Sequence, residues 1–562
     1  MSLDAYVAVS GPEAGPLCWD FVQTVFGQYT TRIRGDSCEV WAFGQKLLPK
    51  SPVSSDLGFD QDGSLRALAE VPRPFITVRH KGERQCHLTI EVCEIASTRV
   101  FYHNRNGQVI WGTDPGLVAS LVFGKAVDLD DQYLLSFARH GLGLTLRSPF
   151  AGVSRVPFGA TLYVGPKGHR LGTPDWTTTT VDEERSDAAC CLALRTAIES
   201  SVQEAIVGAN GIGVLFSGGL DSSVLLRIAQ NLAPSATPVV PISFRYGYSP
   251  TADERTFAQA LGPFTRIVNV DAEVACQLGE AVKLQSISPE PSRESIGGAV
   301  WNQIMPELTA YGIDVVIDGL GGDQLFLASP MCPPHILARL LSFRCLQTIY
   351  HWSQQHQTTI WRTYKNLFRE YLRGTPFLQQ RALQHDVASG APADEEMQGW
   401  LSMALSCTPP LRRYQVLTLL QAACGTGRAL GHPIHLRYPL ATTQLFRAVL
   451  GLPLRVFSND VEDRHIEREL ARTLGIPSII CDRYDKGQQG EPLIRNLRRR
   501  RESLAEMVSR MVLARKGIVT KANAFAILNR AACGKLFAAA EFLNIYAAEM
   551  WLRSRPELKY WI

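Results

Sequence analysis

The stretch from Ile212 to Ala229 constrains this 562-residue chain more than any other: Ile-Gly-Val-Leu-Phe-Ser-Gly-Gly-Leu-Asp-Ser-Ser-Val-Leu-Leu-Arg-Ile-Ala. Gly211 to Phe216 is a short apolar run that reads as a buried strand, and Ser222 to Leu232 carries apolar residues at helical spacing. Ser217-Gly218-Gly219-Leu220-Asp221-Ser222 joins them. Two glycines permit a tight turn with positive φ and a close approach of backbone to ligand. Amides at the start of a helix point outward with partial positive charge, which suits phosphate. The serines add hydroxyl donors, and Asp221 adds a carboxylate able to take a hydrated magnesium ion. A Walker loop would need Gly-x-x-x-x-Gly-Lys-Ser/Thr, which is absent, and the third glycine of a dinucleotide fingerprint is absent too.

At 46% hydrophobic and 20% charged residues the chain has the composition of a soluble globular protein, long enough for about two to four domains. A formal net charge of +4 is small for this length and does not support nucleic acid as the main partner. Thirteen cysteines, with no Cys-x-x-Cys pair, argue against a zinc ribbon or a disulfide framework and fit a reducing cytosol. The first twenty residues hold Asp4, Glu13 and Asp20 and no basic residue, unlike a signal peptide. No apolar run approaches the roughly 20 residues of a membrane span. The expected setting is cytoplasmic.

Before the loop, Met1 to about Trp176 reads as short strands and turns. Phe75 to Val78, His87 to Val92, Arg99 to Tyr102, Val109 to Trp111 and Ala160 to Val164 are strand-like, with a helix from Leu129 to about Arg139. Gly82, Asn104 to Gly107 and Asp114 to Gly116 read as punctuation between them. Thr177 to Asp187 reads as a polar linker, and Ala188 to Ile206 as an amphipathic helix. After the loop, strands Val239 to Phe244 and Thr265 to Val270 alternate with a helix, Thr256 to Leu261. Alternation of this kind means a parallel sheet with ligands at the carboxyl ends of its strands. A second glycine-rich turn, Asp318-Gly319-Leu320-Gly321-Gly322-Asp323, follows the strand-like Asp314 to Ile317 about a hundred residues on.

Ser-Gly-Gly-x-Asp-Ser after a strand resembles the PP-loop of ATP pyrophosphatases, which split ATP between the α and β phosphates; the plain alternative is an ordinary Gly/Ser turn. Asp318 to Phe326 resembles the Leu-Ser-Gly-Glu-Gly-Ala-Asp-Glu-Leu-Phe motif of asparagine synthetases and their relatives. The resemblance implies ATP and Mg2+ as cofactors, with Asp221 and Asp323 holding the metal. It implies that Leu215, Ser217, Gly218, Gly219, Leu220, Asp221, Ser222, Ser243 and Gly319 form the nucleotide site. Arg483-Tyr484-Asp485-Lys486-Gly487 resembles the segment carrying the lysine that, in the related β-lactam synthetases, stabilises the acyl-adenylate and its oxyanion, which puts Lys486 in that role. Thr98 to Tyr102, Thr113-Asp114 and Phe150 to Gly159 fall in the order of the family's amino-terminal glutaminase domain.

The implied architecture is mixed, α/β and α+β. Residues 1–176 would be a degenerate, Ntn-hydrolase-like β-rich domain, and residues 188–562 a PP-loop synthetase domain with a parallel sheet and a helical carboxyl-terminal region. The family's glutaminase nucleophile is a cysteine directly after the initiator Met, where this chain has Ser2, and Cys18 lies well inside it. The domain therefore reads as a relic that makes no ammonia, so that the substrate supplies the amine. Leu320 stands where asparagine synthetases carry glutamate. These departures resemble the macrolactam synthetases of lasso peptides. That family implies a precursor peptide as substrate, with a leader-binding protein and a protease as pathway partners. A ligase of the same type acting on a small amino acid, and a non-catalytic scaffold, are the alternatives. Trp352, Trp361, Tyr364, Tyr371 and Trp400 are expected mostly in the core, Arg495 to Arg501 on a solvated helix face, and the tail from Asn523 to Ile562 on the synthetase domain.

Overall fold

The computed structural model describes the backbone of seven strands between residues 5 and 92. Beyond them it describes residues 99–105, 108–141, 145–165, 168–172, 181–245, 255–262, 267–271, 289–293, 298–326, 395–406, 412–425, 434–457, 464–483 and 490–555, with a few single positions besides. Ser2, Cys18, Asp253, Glu254, Trp352, Tyr371, Trp561 and Lys486 lie outside the described residues.

Five parallel strands form the central sheet, in the order Val268–Asp271, Val239–Arg245, Ile212–Phe216, Val315–Ile317, His435–Arg437. Ile212–Phe216 pairs on one side with Val239–Arg245 (Ile212 opposite Val239) and on the other with Val315–Ile317 (Ile212 opposite Val315). A strand paired on both edges and covered on both faces has no side facing water, which explains its unbroken apolar run. The chain moves one way across the sheet from the central strand to Val268–Asp271, then returns and continues the other way. The point of reversal lies between Ile212–Phe216 and Val315–Ile317, where open α/β sheets place their ligands. Helices begin and end within a residue or two of the positions that periodicity predicts: Asp187–Ile206, Leu220–Leu232 and Arg255–Leu261. The fifth strand, His435–Arg437, was not expected from the sequence.

The first third builds two six-stranded antiparallel sheets. One runs Ser154–Arg155, Phe101–Arg105, Gln108–Gly112, Ala5–Ser10, Cys38–Phe43, Thr31–Arg34; the other runs Gly168–Leu171, Thr161–Gly165, His87–Val92, Ile76–Lys81, Leu65–Ala67, Leu57–Phe59. Val100, Tyr102, Trp111 and Leu162 from this region share one core with the central-sheet helices, packing with Leu194, Ile198, Leu225 and Trp400. The Trp400 indole N–H donates to the Gly172 carbonyl at 3.1 Å. Trp400 is therefore a core residue as expected, whereas Trp361 is 80% exposed.

Asp114-Pro115-Gly116 is not a turn between strands but the start of a helix, Pro115–Phe123. The Asp114 carboxylate accepts from the amides of Gly116 (2.8 Å) and Leu117 (3.0 Å), and Pro115 occupies the first helical position, where a missing N–H costs nothing. The tail packs on helices Gly490–Arg499 and Arg501–Ser509 of the carboxyl-terminal region and also reaches the first third. Helix Leu536–Ser554 lies on helix Asp131–His140 of the first third, and Phe542, Tyr546 and Trp551 share a core with Phe101, Leu134 and Phe150.

Two fully buried carboxylates tie distant parts of the chain together. Glu290 receives the guanidinium groups of Arg99 and Arg155 and the Tyr133 hydroxyl (2.9 Å). Burial alone would raise its pKa, but Arg155 and then Arg99 overcome that and hold it below the ordinary value. Asp114 receives Arg555 through both terminal nitrogens, at 2.6 and 2.8 Å, with both side chains fully buried. Arg555→Met leaves the Asp114 carboxylate buried without its cation and is expected to cost about 3–5 kcal/mol, with the double variant Asp114→Asn/Arg555→Met recovering part of the loss. Urea denaturation followed by tryptophan fluorescence measures both.

Candidate active site

At the carboxyl end of Ile212–Phe216 the chain turns through Ser217, Gly218 and Gly219 into helix Leu220–Leu232. Gly218 has φ +62°, and a Cβ there would lie 2.7 Å from Cβ of Phe257, so neither the conformation nor the space admits a side chain. The Ser222 hydroxyl donates to the Gly219 carbonyl (3.1 Å) and accepts the Ser217 amide (3.3 Å), and Ser223 also donates to Gly219 (2.8 Å). Gly219 caps the helix with no side chain of its own, so the first-turn amides keep their anion-binding capacity. Arg483 fastens the loop from outside: it donates to the Gly218 carbonyl at 3.1 Å and lies 3.9 Å above the Phe257 ring.

The second glycine turn follows the neighbouring strand, Val315–Ile317, across the reversal point. Gly321 has φ +100°, and its missing Cβ would sit 2.8 Å from the Leu440 carbonyl oxygen. At Gly322 a Cβ would stand 1.7 Å from an Asp221 carboxylate oxygen. The glycines of this turn thus let the Asp221 side chain lie directly against it. Leu320 is packed against the large core, and its amide donates to Asp318 (3.1 Å).

Asp221 and Asp323 converge on one cation, Arg464. Its guanidinium contacts Asp221 through Nη2 and Asp323 through Nη1 (3.0 Å), while its Nε donates to Glu467 at 2.7 Å. Burial works against the charge of Arg464, but Asp221, Glu467 and Asp323 together outweigh it and keep the group firmly protonated. Glu467 is fully buried, and its pKa rises well above the carboxylate range through burial, Arg464 opposing and Asp221 adding to the rise. Arg464 is also the one non-glycine residue of positive φ (53°) among the described residues, sitting just before helix His465–Thr473. A left-handed arginine costs roughly 1–2 kcal/mol and is found where surrounding contacts over-determine it. Nothing in its sequence context singled out Arg464 or Glu467 as site residues. The only available signal was the pattern Arg-x-x-Glu at a helix start.

Two carboxylates drawn to one positive centre are a suitable donor set for a hard divalent cation such as magnesium, which takes one or two carboxylates and completes its shell with water and phosphate oxygens. Ser243 lies at the carboxyl end of the adjacent strand, level with Phe216, and its buried hydroxyl has no hydrogen-bond partner among the described residues. Leu215 is half-buried on the central strand, and Gly319 lies against Asp221. The structure therefore brings the loop, Ser243, Asp221, Gly319 and Asp323 to one end of the sheet.

Asp318 ends the strand Val315–Ile317 beside this cluster. Burial pushes its carboxyl up to about 6; the amides of Leu320 and Gly319 pull back, and Asp221 adds to the rise. A carboxyl raised on folding opposes the fold once pH exceeds its unfolded value, and the penalty grows until pH passes the folded one. Asp318→Asn should consequently stabilise the protein by an amount that grows from pH 4 to about pH 6 and is flat above, about 1–2 kcal/mol after allowance for solvent screening of a half-buried group. Denaturation midpoints of both proteins across that range test it. Gly322→Ala should displace Asp221 and reduce nucleotide binding at least about tenfold, read by titration calorimetry with a non-hydrolysable ATP analogue.

No curated protein matches the chain. Residues 193–553 match the family model described as asparagine synthase. That match spans more than half of the chain and takes in the loop, the second glycine turn, Arg464 and all but part of the carboxyl-terminal tail. The chain belongs to the asparagine synthase family, whose members are ATP-dependent amide-forming ligases.

Proposed function

We propose that this protein is an AMP-forming ligase that activates an Asp or Glu side chain of a precursor peptide and closes a macrolactam with the peptide's own amino terminus. The observation that carries the ligase part is the convergence of Asp221 and Asp323 beside an open helix start. In this reading the substrate carboxylate oxygen attacks the α phosphorus of ATP and pyrophosphate leaves. The peptide amine then attacks the acyl carbon, AMP leaves, and the nitrogen loses a proton. The loop amides and the Ser217 and Ser222 hydroxyls bind phosphate oxygens, and Ser243 and Leu215 lie toward the nucleoside. Asp221 and Asp323 hold the magnesium ion, which when bound neutralises charge on the leaving phosphates. Lys486 is assigned the oxyanion formed on the acyl carbon, where a preorganised donor is worth about a hundredfold or more in rate.

The peptide part is favoured by Leu320. A half-buried apolar side chain stands where asparagine synthetases have a carboxylate, so this position supplies no proton acceptor for a small amine. A folded peptide that presents its amine next to the activated carboxyl gains its rate from proximity and needs less help from the enzyme. The first third, residues 1–176, is assigned a structural role as a glutaminase-like relic, with the synthetase in residues 188–562.

With ATP, magnesium and a peptide bearing a free amino terminus and an internal Asp or Glu, the protein should release AMP and pyrophosphate and give a product lighter by one water. Asp221→Ala should lower this by about a hundredfold or more. AMP formed with small amino acids and not with peptides would move the assignment to a small-molecule ligase. ADP in place of AMP would overturn the loop assignment itself.

A further inference from the structure

We infer that Arg464 and a divalent cation compete for the same two carboxylates, so that the cation enters only as the guanidinium withdraws from Asp221 and Asp323. The inference rests on the nucleotide-ligase reading above and adds to it a specific residue that sets cation affinity.

The geometry argues for exchange and against a shared site. Nη2 contacts Oδ1 of Asp221 and Nη1 lies 3.0 Å from Oδ1 of Asp323, so both terminal nitrogens are spent on the oxygens that would face a cation between the two residues. A magnesium ion bound to those oxygens at roughly 2.1 Å would occupy the space the guanidinium fills. Two positive charges at such range in a site closed on one side repel strongly. Arg464 itself is only 6% exposed, and Asp221 only 14%, so water screens the pair poorly.

The same structure shows how withdrawal can occur without unfolding the site. Glu467, one turn along the same helix, holds Nε at 2.7 Å and also contacts Nη2, so the guanidinium keeps a partner as it leaves the aspartates. The side chain can therefore turn toward Glu467 without losing all of its partners. Asp323 is 45% exposed, which opens the cluster to solvent on its side and gives a cation a route in. The backbone at Arg464 is fixed by amide bonds from Glu467 and Arg468 to its carbonyl (3.0 Å each), which leaves the motion to the side-chain torsions. A purely structural bridge joining three segments would need none of this asymmetry between the exposed Asp323 and the buried Glu467.

The test reads cation binding directly, on the full-length protein without nucleotide, by the electron paramagnetic resonance signal of free Mn2+. Arg464→Gln should raise Mn2+ affinity by about tenfold or more at one site, since a unit charge at contact range is removed. Adding Asp221→Asn to it should abolish the gain. Arg464→Lys, whose single ammonium reaches one carboxylate at a time, should fall between. Glu467→Gln, which loosens the anchor but leaves both aspartates, should shift affinity in the same direction, and it serves if Arg464→Gln does not fold by circular dichroism. Unchanged or weaker Mn2+ binding in whichever of these two variants is folded overturns the inference. Because these titrations contain no nucleotide, the competition can fail while AMP formation stands, and AMP formation can fail while the competition stands.

Discussion

Two carboxylates, Asp221 and Asp323, meet at the mouth of a parallel sheet, and they can do so only around a positive charge. That requirement organises the rest of the site. Asp221 arrives on the helix after the central strand, Asp323 on the turn after the neighbouring strand, and Arg464 from a segment 141 residues beyond Asp323. Removing the cation would leave Asp221, only 14% exposed, beside the Asp323 carboxylate without a counter-charge, which is destabilising. The left-handed backbone of Arg464 is one expense of the arrangement, and the glycines at 321 and 322 are another. Both are tolerated because Glu467 and the start of helix His465–Thr473 hold the guanidinium from behind.

The same device recurs where the first third meets the remainder. Glu290 is surrounded by Arg99, Arg155 and Tyr133, and Asp114 by Arg555 and two amides. Each is a carboxylate that would be prohibitive in a core if alone and becomes specific when every oxygen is occupied. Nonpolar contacts alone would allow the helices of the tail several registers on Asp131–His140. The Asp114–Arg555 pair and the edge-to-face contact of Phe150 with Trp551 (5.7 Å) select one. The first third of this chain is built into the same hydrophobic cores as the helices around the central sheet and the carboxyl-terminal helices.

What could be read from the sequence was whatever is encoded locally. The strand, turn and helix around Ser217 to Ser222 depend on residues next to one another, and the structure places them as the pattern predicts. The alternation of strands and helices gave the parallel sheet, but the return of the chain to the other side of Ile212–Phe216 is a long-range pairing without a local signature. His435–Arg437 was missed because three residues before a proline have no periodicity to detect. Pro115–Phe123 was missed for a different reason: Asp-Pro-Gly is turn chemistry and cap chemistry at once, and only the apolar run after it decides. Arg464 looked like one charge among several on an amphipathic helix. Its burial depends on aspartates that approach it through folding alone, and Arg555 and Asp114, 441 residues apart, pose the same difficulty.

The balance of charge at the sheet mouth connects these points to chemistry. Asp221, Asp323 and Glu467 stand against Arg464, and Asp318 lies beside Asp221. Burial pushes the Glu467 carboxyl up against the pull of Arg464, and it pushes Asp318 up to about 6. Three carboxyl groups thus contact one guanidinium and a fourth lies beside Asp221, so acid outnumbers base at the sheet mouth. A polyphosphate is negative too, and the loop amides and helix start carry only fractional positive charge. Anion binding at such a place is unfavourable unless a cation comes with it. On the proposed ligase reading, an excess of acid beside the loop would make nucleotide and divalent cation mutually dependent ligands, each improving the site for the other. On that reading these aspartates would accommodate the metal and also make nucleotide binding depend on it.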